Sequence, residues 1–154
     1  MIQIRQGVFE TNSSSTHSLC IMPKNDYKKW CNGTNEYYFV DSKYDNEFNK
    51  CFPDGIGYGI YSKDVVQDAL NKYAKVHEEK HKDDNWYRPV DTHVLEYSDD
   101  HDVMAERRDA RLYDLWIYTL DDWYEYTDGL EDYYVPFTTP SGDKMVAFGA
   151  YGYN

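Results

Sequence analysis

The sequence predicts an α+β fold: an antiparallel sheet with one main helix, at about 62–82, and one or two shorter helices packed on it. Three observations carry this. Several short runs show the composition or alternation of strands. One long segment repeats its apolar residues with a helical period. Strands and helices do not alternate regularly, which argues against a parallel doubly wound sheet. The 154 residues suit a single domain, 1–154, with no linker long enough to divide it.

The elements follow in chain order. IQIRQGVFE (2–10) begins with the alternation of a half-buried strand, and SLCIM (18–22) is a second short apolar run. TNSSSTH (11–17) between them consists of turn formers, so 2–22 reads as strand, loop, strand. YYFVD (37–41) is a third strand, and CFPDGIGYGI (51–60), with one proline and three glycines, reads as an irregular loop. The main helix opens at Ser62 as N-cap, with Asp64 in its first turn. Val65, Val66, Ala69, Leu70, Tyr73, Ala74 and His77 then recur with helical spacing up to about Lys80 or Lys82, where Asp83, Asp84 and Asn85 break it. THVLEY (92–97) is a further strand and 102–112 a weaker helix. LWIY (115–118) closes that helix or forms a strand. Thr119 with Asp122 forms a capping box in which Asp replaces the usual Glu or Gln, opening a short helix over LDDWYEY. YYVPFTT (133–139) and KMVAFGAYGY (144–153) flank the turn PSGD, and Pro136 calls for an edge strand or a bulge.

Leu, Ile, Val and Phe supply only 29 residues, a level associated with disorder, but 17 Tyr and 4 Trp supply bulk in their place. The expected core is therefore aromatic. No run of 18 apolar residues occurs, so no membrane span is expected. MIQIRQGVFE lacks an apolar signal core, and three cysteines, Cys20, Cys31 and Cys51, form no disulfide framework or metal pattern. The expectation is a cytoplasmic protein with reduced thiols.

The net charge of −12 is uneven. Residues 1–90 hold 12 basic and 13 acidic side chains; residues 91–154 hold 4 and 15. Between Arg111 and Lys144 lie eight carboxylates and no basic residue, interspersed with tyrosines and tryptophans. Such a field repels phosphates, which argues against direct nucleic-acid binding and for a partner with a basic surface. The candidate partner-binding residues are Asp121, Asp122, Trp123, Tyr124, Glu125, Tyr126, Asp128, Glu131 and Asp132. Carboxylates among exposed aromatics can imitate phosphates and bases in a nucleic-acid-binding cleft. The competing reading is a core helix and hairpin whose aromatics are buried and whose acids are solvated.

Two other features bear on chemistry. Asn12, Ser13, Ser14, Ser15 and His17 offer hydroxyls, backbone N–H groups and an imidazole that suit a phosphate or carboxylate ligand, or only cap the turn. His77-Glu78-Glu79-Lys80-His81 satisfies H-E-x-x-H on a helix, placing His77 and His81 on one face as possible metal ligands. Glu79 and Lys80 at the variable positions and the helix-end setting argue for a solvated helix terminus instead, so no cofactor is expected.

IRQGVFETNSSSTHSL (4–19) resembles the N-terminal signature of a group of uncharacterised proteins of phages and Firmicute bacteria, in which RxGVFETNSSS is followed by one variable residue and His-Ser. YTLDDWYEY (118–126) and TTPSGDKMVAFGAYG (138–152) are similar, more loosely, to the tails of the same group. The resemblance implies a phage or phage-derived origin and no particular activity. The sequence thus leads to a non-enzymatic acidic protein that engages and inhibits a basic host protein, such as a nucleic-acid-binding enzyme or a defence nuclease. The alternative is a small hydrolase or phosphate-handling enzyme built on the serine-rich loop and His17, with metal at His77 and His81.

Overall fold

The computed structural model describes residues 15–17, 19–33, 35–42 and 45–153. Among these residues it has two antiparallel sheets and five α-helices, which is the α+β class the sequence predicts. The first sheet is organised on the last strand. β1 (Ser15–His17) and β2 (Cys20–Pro23) lie along one side of β7 (Lys144–Tyr153), while β6 (Glu131–Thr138) lies along its other side. The second sheet has the order β4 (Tyr58–Ser62), β3 (Tyr37–Asp41), β5 (Ile117–Tyr118). Helix α1 (Lys24–Asn32) links the two sheets. α2 (Asn46–Asn49) and α3 (Lys63–His81) follow β3 and β4, and α4 (His101–Asp109) and α5 (Leu120–Tyr126) flank β5.

The period-2 geometry of a strand explains how the two sheets share one interior. Tyr38 and Val40 of β3 join a cluster with Phe48 of α2, Val66, Ala69, Leu70 and Tyr73 of α3, and Ile117 of β5. Phe39 points the other way, into a second cluster with Cys20 and Met22 of β2, Trp30 of α1, Trp123 of α5, Tyr118, and Val146 and Phe148 of β7. β3 is thus buried on both faces, which is why YYFVD carries no polar residue before its last position. Each aliphatic residue fully buried here contributes about 1.5–3 kcal/mol over an exposed one. The second cluster is largely aromatic: Phe39 meets Trp30 at 5.5 Å, Trp123 at 5.7 Å and Tyr118 at 5.9 Å between ring centroids.

The main helix keeps its expected position. Ser62 precedes it, but as the last residue of β4 its side chain makes no capping bond. The helix is secured from α2 instead. Asp45 Oδ1 accepts from Glu47 N and Phe48 N, both at 3.0 Å, while Asp45 Oδ2 accepts from the Tyr73 hydroxyl at 2.6 Å. Pro136 lies on β6, which among the described residues pairs with β7 alone, so within them the ring occupies an edge strand, as its missing N–H requires.

Three expectations need correction. Residues 15–17 are a strand against β7, not part of a turn, because Ser15, Thr16 and His17 oppose Tyr153, Gly152 and Tyr151 in register. The expected strand at 2–10 lies outside the described residues. Residues 58–62 are a strand, not loop: Gly59 sits opposite Val40, and the run pairs along the whole of β3. Residues 92–97 are a series of turns rather than a strand, with the adjacent Val94 and Leu95 both buried. That segment is held by side chains. Arg111 Nη1 donates to the Val94 carbonyl at 2.9 Å, and Arg107 Nη1 donates to the Glu96 carbonyl at 3.0 Å. Helix α1, finally, has no counterpart in the sequence reading.

α4 does not end cleanly. It passes into a π-helical turn, Ala110–Asp114, where Leu115 N bonds to the Ala110 carbonyl at 3.1 Å. Trp116 follows with φ +50°, a left-handed conformation that costs a non-glycine residue about 1–2 kcal/mol. The reversal sets β5 beside β3, with Asp41 N donating to the Trp116 carbonyl at 2.9 Å, and Trp116 packs on the aromatic cluster.

Gly57 is fixed by a second tight contact. Its φ is +62°, and a Cβ there would meet Ser42 Oγ and Asn49 Oδ1 at 2.6 Å each. Ser42 is fully buried and donates its hydroxyl to the Gly57 carbonyl at 3.0 Å. Gly57→Ala therefore combines backbone strain with overpacking and should cost about 2–3 kcal/mol, read as a lowered urea midpoint at unchanged slope. An unchanged midpoint would refute this account of the loop.

Candidate functional site

The capping box at α5 is formed as the sequence predicts. Asp122 N donates to Thr119 Oγ1 at 3.1 Å and Thr119 N donates to Asp122 Oδ2 at 3.0 Å. The same carboxylate receives the guanidinium of Arg111, with Nη2 at 3.2 Å and Nε at 3.4 Å from Oδ2. Both partners are almost fully buried. Asp122 is therefore a structural anion and is not available to a partner. Trp123 beside it packs in the aromatic cluster at 5% exposure. The other seven candidates, Asp121, Tyr124, Glu125, Tyr126, Asp128, Glu131 and Asp132, are exposed. Glu125 pairs with Arg108, and Glu131 accepts a hydrogen bond from the Tyr151 hydroxyl. The arginines of α4 and the following turn thus neutralise part of the acidic stretch from within the fold.

The exposed residues of β6 divide between its two faces: Asp132 and Tyr134 lie on the side of Phe148, and Glu131, Val135 and Phe137 on the opposite side. α5 presents Tyr124 and Tyr126, and β6 presents Tyr134, Val135 and Phe137, each between 38% and 53% exposed. Seven of the eight residues of β6 are exposed; Tyr133 is half-buried. Among the described residues β6 is paired on one side only, which leaves backbone donors and acceptors at its outer edge.

Between α1, α5 and β6 the surface sinks into a groove of about 160 Å3. It is lined by Tyr27, Trp30, Leu120, Trp123, Tyr124, Asp132, Tyr133, Tyr134, Phe148 and Gly149. The Tyr27 ring lies 5.2 Å from Tyr134, 5.0 Å from Phe148 and 6.1 Å from Trp30. Burial pushes the Tyr27 phenol well above its usual range, helped by the Cys31 thiol and by the nearby Tyr124 and Tyr134 phenols, so it stays protonated. Asp132 is the charged side chain of the lining. It pairs with no cation among the described residues, unlike Asp122 and Glu125. Tyr27 and Trp30 were missed by sequence reasoning because they lie on α1, far in sequence from the acidic segment. The one available signal was the spacing of three between them in a polar run.

The remaining candidates fall elsewhere. Asn12, Ser13 and Ser14 lie outside the described residues, and for Ser15 and His17 only the backbone, in β1, is described. His77 and His81 do share a helix face, with ring centroids 4.7 Å apart. His77 also meets Tyr73 and Tyr87 at 5.6 and 5.8 Å, and His81 Nδ1 lies 2.8 Å from Asp84 Oδ2. At this helix terminus Lys80 pairs with Glu47 on the surface. Among the described residues no group of three or more His, Cys, Asp or Glu is arranged to hold a metal ion, and no helix is long and apolar enough to cross a membrane. Among the described residues Cys20, Cys31 and Cys51 form no disulfide. Comparison with protein-family models, with curated proteins and with solved structures gave no match.

Proposed function

We propose that the chain is a non-enzymatic binding protein that engages a basic protein surface through the face formed by α5 and β6. The observation that carries this is the set of large side chains left exposed on α5 and on the Phe148 side of β6, Tyr124, Tyr126 and Tyr134, with Asp121 and Asp132 exposed on the same two elements. Contiguous exposed aromatics are costly to leave in water and are typical of interface cores, while the carboxylates steer a cationic partner into register. The resemblance of residues 4–19 to phage proteins extends the reading: the partner is a host nucleic-acid-binding protein, such as a defence nuclease, whose phosphate-binding cleft the carboxylates occupy.

The test is capture from a bacterial lysate on immobilised protein, comparing wild type with the exposed-site variant Tyr126→Ser/Tyr134→Ser. A specific protein should be retained at low salt and released at high salt, with about ten-fold less retained by the variant. Retention that ignores both salt and the substitutions would end the proposal.

A further inference from the structure

The groove beside this face has a chemistry of its own. Its floor and walls are aromatic: Tyr27, Trp30, Trp123, Tyr124, Tyr134 and Phe148. Asp132, on β6, supplies the one formal charge of the lining. At about 160 Å3 it matches a cavity that accepts a benzene-sized group, so it admits one side-chain head and not a folded segment. A purely apolar head would strip water from Asp132 and give nothing back. A lysine ammonium is compact and strongly hydrated, and would leave the flat ring faces poorly covered. A guanidinium is planar and weakly hydrated. It stacks on aromatic faces and can give two parallel N–H donors to a carboxylate.

We propose that the groove is a receptor for a single arginine side chain of the partner, its guanidinium held against the aromatic walls and bonded to Asp132. This rests on the reading of the α5–β6 face as a protein-binding surface and names the residue that anchors there. Fully desolvated arginines are frequent binding hot spots, and a ring of tyrosines that excludes water is the surrounding they need.

The experiment uses the full chain and short blocked peptides, acetyl-Gly-X-Gly-amide, with X as arginine, citrulline, lysine or trimethyl-lysine. Trp30 and Trp123 line the groove, so tryptophan fluorescence reads occupancy, and proton–nitrogen NMR shifts of Tyr124 and Asp132 confirm the location. The arginine peptide should saturate at a dissociation constant of roughly millimolar, as expected for one side chain. The lysine and trimethyl-lysine peptides should bind at least five-fold more weakly, and the neutral isostere citrulline at least ten-fold more weakly. Asp132→Asn and Tyr124→Ala, both at exposed positions, should each weaken the arginine peptide about ten-fold with an unchanged thermal midpoint. Equal binding of arginine and citrulline, tighter binding of trimethyl-lysine, insensitivity to Asp132→Asn, or no saturable response would each overturn the proposal. Face-dependent capture of a protein from lysate without arginine-peptide binding would sink this inference alone. Arginine-peptide binding without any captured protein would sink the broader reading instead.

Discussion

Asp122→Ala should lower stability by about 3–5 kcal/mol, the largest loss expected from any single polar substitution in this chain. The carboxylate does two jobs at once. It closes the capping box of α5 through Thr119 N, and it neutralises the buried guanidinium of Arg111. Removing it leaves a cation at 9% exposure with only the Val94 carbonyl for company, and frees a helix N–H that had a partner. The capping loss alone is worth about 1 kcal/mol; the stranded charge supplies the rest. A second variant separates these parts. Arg111→Met/Asp122→Ala removes both charges and should recover about half of the lost stability, because a buried ion pair and an apolar replacement differ little in net energy. Urea midpoints for the wild type, the single variants Asp122→Ala and Arg111→Met, and the double variant measure this. If the double variant is as unstable as the sum of its single changes, the two side chains are not coupled and the assignment fails.

Trp30→Ala is the second large effect, expected at about 3–5 kcal/mol. Trp30 is 1% exposed, and its indole Nε1 donates to the Tyr118 carbonyl at 3.1 Å. Its ring meets Phe39 at 5.5 Å, Phe148 at 5.7 Å and Trp123 at 6.3 Å, so it joins one strand from each sheet to α5. Trp30→Phe should cost less, about 1–2 kcal/mol, since it keeps the ring packing and loses the indole bond. Equal losses for the two variants would show that the hydrogen bond, not the packing, is what matters. The same residue lines the groove, which is why the binding tests use Tyr124 and Asp132 instead.

What the sequence made legible was whatever is determined locally. The helical repeat of Val66, Ala69, Leu70 and Tyr73, the Thr119–Asp122 box, and the edge position of Pro136 all follow from neighbouring residues, and all three are present. What stayed hidden depends on distant partners. KNDYKKWCN is polar apart from three residues, and only Trp30 is fully buried, so α1 gives almost no periodic signal. Gly57 and Gly59 disguised β4 as loop, although Gly59 pairs opposite Val40 in the ladder, at a φ of +132° that glycine tolerates. Val94 and Leu95 suggested a strand, yet their carbonyl and turn geometry are fixed by arginines more than ten residues further along the chain. The candidate face was half legible. The exposed acids and tyrosines of 121–132 were identified from composition, but composition assigned Asp122 and Trp123 to the surface. It also had no means of bringing Tyr27 and Trp30 to the same groove.

The position of β7 sets the order in which the molecule can assemble. β6 and β7 form a hairpin whose two arms are close in sequence, so closing that loop costs little chain entropy. β2 must find the same strand from the opposite end of the chain, with Cys20 opposite Phe148 and Met22 opposite Val146. Everything between them, including the whole second sheet, lies inside that closure. By contact order the hairpin is expected to form before β2 docks, and slower folding of a chain with a lengthened 24–130 segment would check this. Until β2 docks, Val146 and Phe148 present an unsatisfied apolar edge, and any strand that reached them first, from this chain or another, would compete with the native one.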